Sequence, residues 1–280
     1  MLEMFQLPFM SQAFIVCLLL SIILSYFGIH VIKRGIVFID LALAQISSVG
    51  VAFAMLVGGD TRVYAVLFTL IGALGLSLIP TNNKRVPQEA VIGIIYAFAA
   101  ALSILIMAKT PHGDADVTEI LFGNILAIQP AQITEIAITF ALVGLFHLLF
   151  YRQFYRLSFK DSETQTHAAS TTSPLNLWNT LFYISLALVI SSAIGATGVL
   201  QAFSYLIVPA VCGILLCKNF WAAFGAAFIV SLGSSVTGLY LSYSLDLPTG
   251  ASIVCCFGLF FLLVLALIMM KKLPFLQMKA

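Results

Sequence analysis

Charge is what this sequence has least of. Of its 280 residues only 9% are Asp, Glu, Lys or Arg, against 61% hydrophobic, where a soluble domain carries roughly a quarter charged residues. That scarcity excludes an ordinary fold around an aqueous-phase core. Several runs of about 20 apolar residues match the roughly 30 Å hydrocarbon layer at about 1.5 Å per helical residue. Inside lipid a helix satisfies its own backbone. The expected fold class is therefore all-α, a polytopic helical membrane protein with eight or nine transmembrane helices.

Other absences narrow the chemistry. The five cysteines, Cys17, Cys212, Cys217, Cys255 and Cys256, form no C-x-x-C pair and no metal-ligand spacing, and all lie in apolar runs, where a thiol acts as a small hydrophobe. No G-x-x-x-x-G-K-[ST] occurs, so the chain is not expected to hold ATP as a P-loop protein does. No H-E-x-x-H or G-x-S-x-G occurs either, which removes the usual residues of a hydrolase. A transport component, not an enzyme, is what remains; no directly bound cofactor and no nucleic acid are expected. The opening "MLEMFQ" carries Glu3 and no cation, so the first run is expected to stay as a span and not to be a signal peptide.

What is present is a series of apolar runs separated by polar punctuation. Spans are predicted near 11–32, 36–58, 62–80, 88–108, 130–151, 177–194, 199–217, 220–243 and 250–270. "GATG", Gly195 to Gly198, reads either as a tight outer turn or as a kink in one longer segment. "VTEILFGNILAIQP", broken by Gly123, Asn124 and Pro130, is too short to cross and reads as a re-entrant or interfacial piece, tolerated at membrane depth only under protein cover or beside a wet cavity. The whole chain, 1–280, reads as one membrane domain.

Alternate loops must face opposite sides. Of the 13 lysines and arginines, only Arg62 and Lys109 fall on one side, and the rest, from Lys33 and Arg34 to Lys279, fall on the other. By the positive-inside rule the richer side is cytosolic, which puts the N-terminus outside and the C-terminus inside. The long polar segment 151–176 is then cytosolic, and the acidic loop "KTPHGDADVTE" faces outward.

Ionisable groups at membrane depth are functional hypotheses by default. Asp40, in "FIDLALAQISSVG", lies four residues into its span, about 6 Å from the cytosolic end. There it suits the positive end of the helix dipole and an ion pair with Lys33 or Arg34; a transport role is the alternative. Gln45 and Ser48, at i and i+3 with Ser47 beside them, share a face that either lines a path or bonds to a neighbouring helix. No His, Cys, Asp or Glu stands three or four residues from Asp40, so this helix supplies no metal-binding pair. His30, His147 and His167 read as interfacial or solvated. In the outer loop His112, Asp114 and Asp116 put three cation donors within five residues; a hydrated loop is the plainer reading. Glu89 and Glu135, near span starts, suit the helix dipole. Gln201, Ser204 and Tyr205 precede Pro209, as a gating surface or as interhelical packing.

Four segments together carry a resemblance: "HVIKRGIVFIDLALAQISSVGVAFA", "ILFGNILAI", "GVLQAFSYLIVPAVCGILL" and "YSLDLPTGASIV". Over nearly its whole length the chain resembles the integral-membrane permeases of bacterial ABC importers for zinc and manganese, the ABC-3 family. The resemblance implies an inner-membrane subunit working with a second permease copy or paralogue, cytosolic ATPase subunits that use the ATP, and an extracytoplasmic binding protein that delivers the substrate. It places a coupling helix in 151–176, where "LSFKDSETQTHA" replaces the family's S-F-D-P-E-x-A and Phe159, Asp161 and Glu163 keep the docking role.

The main departure is in the opening stretch. Aligned on "VGVA", the metal-path Asp and His of the family fall on Leu41 and Gln45, and Asp40 is rotated about 100° from that face. The family's ligands do not carry over; Gln45, Ser48, Gln201 and Ser204 remain as translocation-path candidates, and Asp40 is expected to be an interfacial anchor. The expected function is the permease of an ABC importer for a divalent metal. Alternatives are a permease for a chelated metal or other solute, an ion-coupled secondary transporter, which would need no ATPase and a titratable mid-membrane group, and a non-transporting scaffold.

Overall fold

The structure, a computed structural model, describes residue 4 and residues 6–79, 86–109, 123, 125–159 and 177–277, with side chains as far as residue 270. The apolar runs are helical. Among the described residues there are ten α-helices: α1 (Pro8–Arg34), α2 (Ile39–Val57), α3 (Thr61–Ser77), α4 (Gln88–Met107), α5 (Pro130–Leu149), α6 (Tyr151–Ser158), α7 (Leu177–Thr197), α8 (Val199–Leu216), α9 (Phe220–Leu245) and α10 (Thr249–Gln277), with a 3-10 turn at Ile125–Ala127 before α5. Eight are long and apolar enough to cross a bilayer; α3, with 17 residues, is shorter than the predicted 62–80. The remaining short helix is α6, which lies in the segment 151–176 that the residue pattern gave as polar loop and the resemblance as the place of a coupling helix.

Local chemistry sets the helix ends. Gly58, at φ 72°, closes α2 in the left-handed conformation and donates its N–H to the Ala54 carbonyl, a turn that glycine makes without a Cβ penalty. Two residues on, the Asp60 carboxylate accepts from the Arg62 and Val63 amides and opens α3, as a short acidic cap should. Pro130 begins α5, with Gln129 and Gln132 bonding reciprocally across its first turn. The "GATG" break is a tight turn: α7 ends at Thr197, α8 begins at Val199, and Gly198 between them has φ 79°.

The chain divides into two compact units. The first comprises Met1–Ile29, Ile125–Ile128 and Ser204–Ala280. In lipid, apolar side chains gain little by leaving equally apolar tails, so close packing and interhelical hydrogen bonds must hold helices together. Both occur here. A side chain at Gly28 would collide with the Leu206 carbonyl and with Ala210, so α1 packs directly on the α8 backbone. Buried hydroxyls bridge helices too, Ser231 donating to Ser21 at 2.9 Å and Tyr205 meeting Ser235 at 2.5 Å.

The second unit comprises His30–Asn124 and Gln129–Phe203. Gly50 lies against the Tyr64 carbonyl, joining α2 and α3, and Gly123 lies against the Thr197–Gly198 backbone. Helix α4 buries Ile92, Ala99, Ser103 and Met107, while Ile94, Phe98 and Leu105 are exposed. That division into a packed stripe and a bare apolar stripe suits a helix at a lipid boundary.

Candidate translocation site

Helix α2 buries a group of polar residues in the second unit. Asp40, Gln45, Ser47 and Ser48 are all buried. Ser48 is satisfied within its own helix, donating to the Ala44 carbonyl at 3.0 Å. Gln45 stands one turn from Leu41, so their side chains share a face. Asp40 occupies the first turn of α2, where the dipole reading put it. It is not an interfacial anchor, however: it is 2% exposed, and among the described residues its Oδ1 meets no protein partner.

The expected ion pair with Lys33 or Arg34 is likewise corrected. Among the described residues the one ion pair within 4 Å joins Arg62 to Glu135 at 3.2 Å, both well exposed. Arg34 is occupied elsewhere. Its Nη2 donates to Asn179 Oδ1, and its guanidinium lies 4.4 Å from the Phe182 ring centre and 5.4 Å from that of Tyr183. Gly35, at φ 65°, turns the chain between Arg34 and α2, and the planar guanidinium finds an amide oxygen and two ring faces on α7.

Arg34 belongs to a polar and aromatic layer at one end of the second unit. Asn179 Nδ2 donates to the Ser77 carbonyl at 3.2 Å, and Thr180 Oγ1 to Ser77 Oγ at 3.3 Å. Gln88 Nε2 donates to the Tyr183 hydroxyl at 2.8 Å, and the Val37 amide to Glu89 Oε1 at 2.9 Å. Glu89 thus sits in the first turn of α4 as expected and also pins the α1–α2 connection.

Two histidines complete this layer, and both overturn the solvated reading: His30 is 0% and His147 2% exposed. His30 Nδ1 lies 2.7 Å from Ser158 Oγ, and His147 Nε2 lies 2.8 Å from Ser185 Oγ. Because Ser185 spends its own proton on the Phe182 carbonyl at 2.9 Å, its oxygen accepts from His147, which assigns the Nε2–H form to that imidazole. His167 lies outside the described residues. Sequence reasoning missed the layer by treating nearness to a helix end as nearness to water. The usable signal was in "YRQFYRLS", where Phe154 and Ser158 recur one turn apart opposite Arg152 and Arg156 and call for something to cover them.

On α8, Gln201 is 2% exposed, and among the described residues neither its Oε1 nor its Nε2 meets a protein partner. A buried amide left so is costly, which makes Gln201 stand out among the path candidates. Ser204 is buried too; it belongs to the first unit and Gln201 to the second. Tyr205 is engaged with Ser235 and with the edge of Phe257, which is packing, and Pro209 lies inside an unbroken α8.

Among the described residues no three His, Cys, Asp or Glu side chains converge on a metal-sized site. His112, Asp114 and Asp116 lie outside the described residues, as do Asp161 and Glu163. Phe159 is described: its ring stacks on Tyr155 at 4.6 Å. Of the cysteines, Cys17, Cys212 and Cys256 are buried, Cys217 is half-buried and Cys255 is exposed.

The family model described as the ABC 3 transport family matches residues 6–268. The chain belongs to that family. Among its relatives, the manganese transport system membrane protein MntC of Halalkalibacterium halodurans is 29% identical over 90% of this chain and 85% of its own length. A Haemophilus influenzae protein named "Probable iron transport system membrane protein" is 27% identical over 95% of this chain and 96% of its own. The solved structure of PsaBC from Streptococcus pneumoniae in complex with Fab aligns with a TM-score of 0.77 at 26% identity, covering 94% of this chain and 93% of that one. This ABC 3 protein is therefore a multi-pass helical membrane protein of a transport family. Its α2 presents Leu41 and Gln45 on the face where the resemblance led one to expect an acid and an imidazole.

Proposed function

We propose that the chain, over residues 1–280, is the membrane-spanning permease of an ATP-binding-cassette importer that moves a divalent metal ion, manganese or zinc, into the cell. The observation that carries this reading is the family match across almost the whole length, supported by relatives, matched over most of their own length, that are named for manganese and iron transport. Hydrolysis of ATP falls to separate cytosolic subunits, since the chain has no P-loop of its own. An extracytoplasmic binding protein hands over the ion, and a second copy or a paralogue completes the pore. The protein sits in the inner membrane of a bacterial cell, N-terminus outside and C-terminus inside, an orientation supported by the skew of its basic residues.

Gln45, Ser48, Gln201 and Ser204 line the route. Phe159, Asp161 and Glu163 meet the ATPase; His112, Asp114 and Asp116 are the weaker candidates for first capture. A second reading is favoured by one observation: Leu41 and Gln45 offer no anionic ligand, which suits a chelated metal or a solute needing none. The test is uptake into vesicles holding the permease with its ATPase, with free manganese, free zinc and a chelated form offered in parallel. ATP-dependent uptake of a free ion supports the first reading. Uptake of the chelate alone supports the second, and uptake without an ATPase overturns both.

A further inference from the structure

Arg34 carries a charge that the second unit does not neutralise. Its Nη2 donates to Asn179 Oδ1, a neutral acceptor, and the rings of Phe182 and Tyr183 lie against its guanidinium. Among the described residues its Nη1 meets no hydrogen-bond partner and is closed to water, and no carboxylate comes within 4 Å of it. Glu89, in the same layer, accepts from the Val37 amide instead. Ring faces recover only part of what a guanidinium loses on leaving water. The missing acceptor has to come from outside the chain, and an anion answers the charge.

Depth and surroundings select the anion. Helix α4 has 20 residues, about 30 Å at 1.5 Å per residue, which matches the hydrocarbon layer. Its first residue, Gln88, bonds to Tyr183 beside Arg34, so the guanidinium stands at the level of lipid headgroups. The surroundings are apolar and open. Phe38, Leu78 and Leu177 are exposed; they follow Val37, follow Ser77 and precede Asn179 by two positions, which places them around the layer. Lys33 is exposed too, and a Cβ on Gly35 would meet nothing within 4 Å. A soluble anion gains nothing from an apolar rim. A phospholipid, which joins a phosphate to acyl chains, uses both.

We propose that Arg34 anchors an anionic phospholipid at this end of the second unit, with the headgroup phosphate accepting from Nη1. A guanidinium suits phosphate because its planar fork donates charge-assisted hydrogen bonds. Lys33 draws the headgroup in from the rim, and the acyl chains lie over Phe38, Leu78 and Leu177. The site goes beyond the transport reading and does not rest on it.

The test uses the full chain in phosphatidylcholine nanodiscs, with brominated phosphatidylglycerol as probe. Trp178 stands next to Asn179, and the one other tryptophan is Trp221, so a Trp221→Phe parent reports from Trp178 alone. As a minor fraction of the lipid, brominated phosphatidylglycerol should quench that fluorescence about threefold more than brominated phosphatidylcholine at the same fraction. Arg34→Gln should abolish the preference, Lys33→Gln should about halve it, and Arg34→Lys, which keeps the charge but not the fork, should retain part of it. Arg62→Gln, outside this layer, should leave it unchanged. Equal quenching by the two lipids overturns the site, as does a preference undiminished in Arg34→Gln. Where Arg34→Gln does not fold, a full preference in both Lys33→Gln and Arg34→Lys overturns it. Inorganic phosphate, added at constant ionic strength, should not displace the probe; displacement marks a free-anion site and overturns the lipid assignment.

Discussion

At the scale of the residue, a carboxylate with one oxygen unpartnered inside a helical bundle is an expense that the fold tolerates at Asp40. It lies in the first turn of α2, at the positive end of the helix dipole. Asp40→Asn keeps the shape and removes the charge, so thermal unfolding in detergent should shift by no more than about 1 kcal/mol; a loss of several would mean that the carboxylate has a partner essential to the fold. Arg34 is the opposite case, since amide hydrogen bond and ring contacts all depend on a planar guanidinium. Arg34→Lys should lose about 1–3 kcal/mol by the same measurement, and an unchanged midpoint would make the contacts incidental. The sequence put Asp40 near the start of its helix and Arg34 just beyond the end of its own, where the structure carries α1 through Arg34. It did not say which was covered, because distance to a helix end measures depth along the axis and not what other helices lay over the side.

At the scale of the element, the helices were legible because each apolar run is long and continuous, and the tight turn at Gly198 was one of two readings that the sequence itself offered. Helix α6 was not read from the residue pattern, which gave only a polar segment there, although its alternation of ring and hydroxyl with arginine was visible; eight residues cannot sustain a helix alone, and their stability comes from what they pack against. Close backbone contacts were also hidden. Gly28→Ala should lower stability by about 1–3 kcal/mol through collision with the Leu206 carbonyl, readable as a lower unfolding midpoint; a silent substitution would show that α1 and α8 can separate at no cost. For the path, Leu41→Asp with Gln45→His places an acid and an imidazole one turn apart on α2. This double variant should increase the dependence of transport on free divalent ion, and no change would remove this face of α2 from the route.

At the scale of the whole molecule, orientation rests on charge. With cysteines introduced singly into a chain freed of its native ones, Lys109→Cys should react with an impermeant maleimide from outside intact cells. Lys218→Cys should react only after permeabilisation. The reverse pattern would invert the topology and remove the cytosolic assignment of α6. Contacts within the second unit agree with alternating spans: Arg34, Ser77, Glu89, Ser158 and Asn179 gather at one end, while Arg62 pairs with Glu135 at the start of α3 and α5.

The sequence by itself determined that this is a helical membrane protein, where nearly all its spans lie and which family it resembles. Those properties follow from composition, from local periodicity and from motifs carried by neighbouring residues. Only the tertiary structure decided that His30 and His147 are buried, that Arg34 turns to Asn179 and away from Asp40, and that Ser158 of α6 meets His30. The reason is separation along the chain: Ser158 reaches His30 across 128 positions and Arg34 reaches Asn179 across 145, and no periodicity within one helix specifies which distant helix will lie beside it.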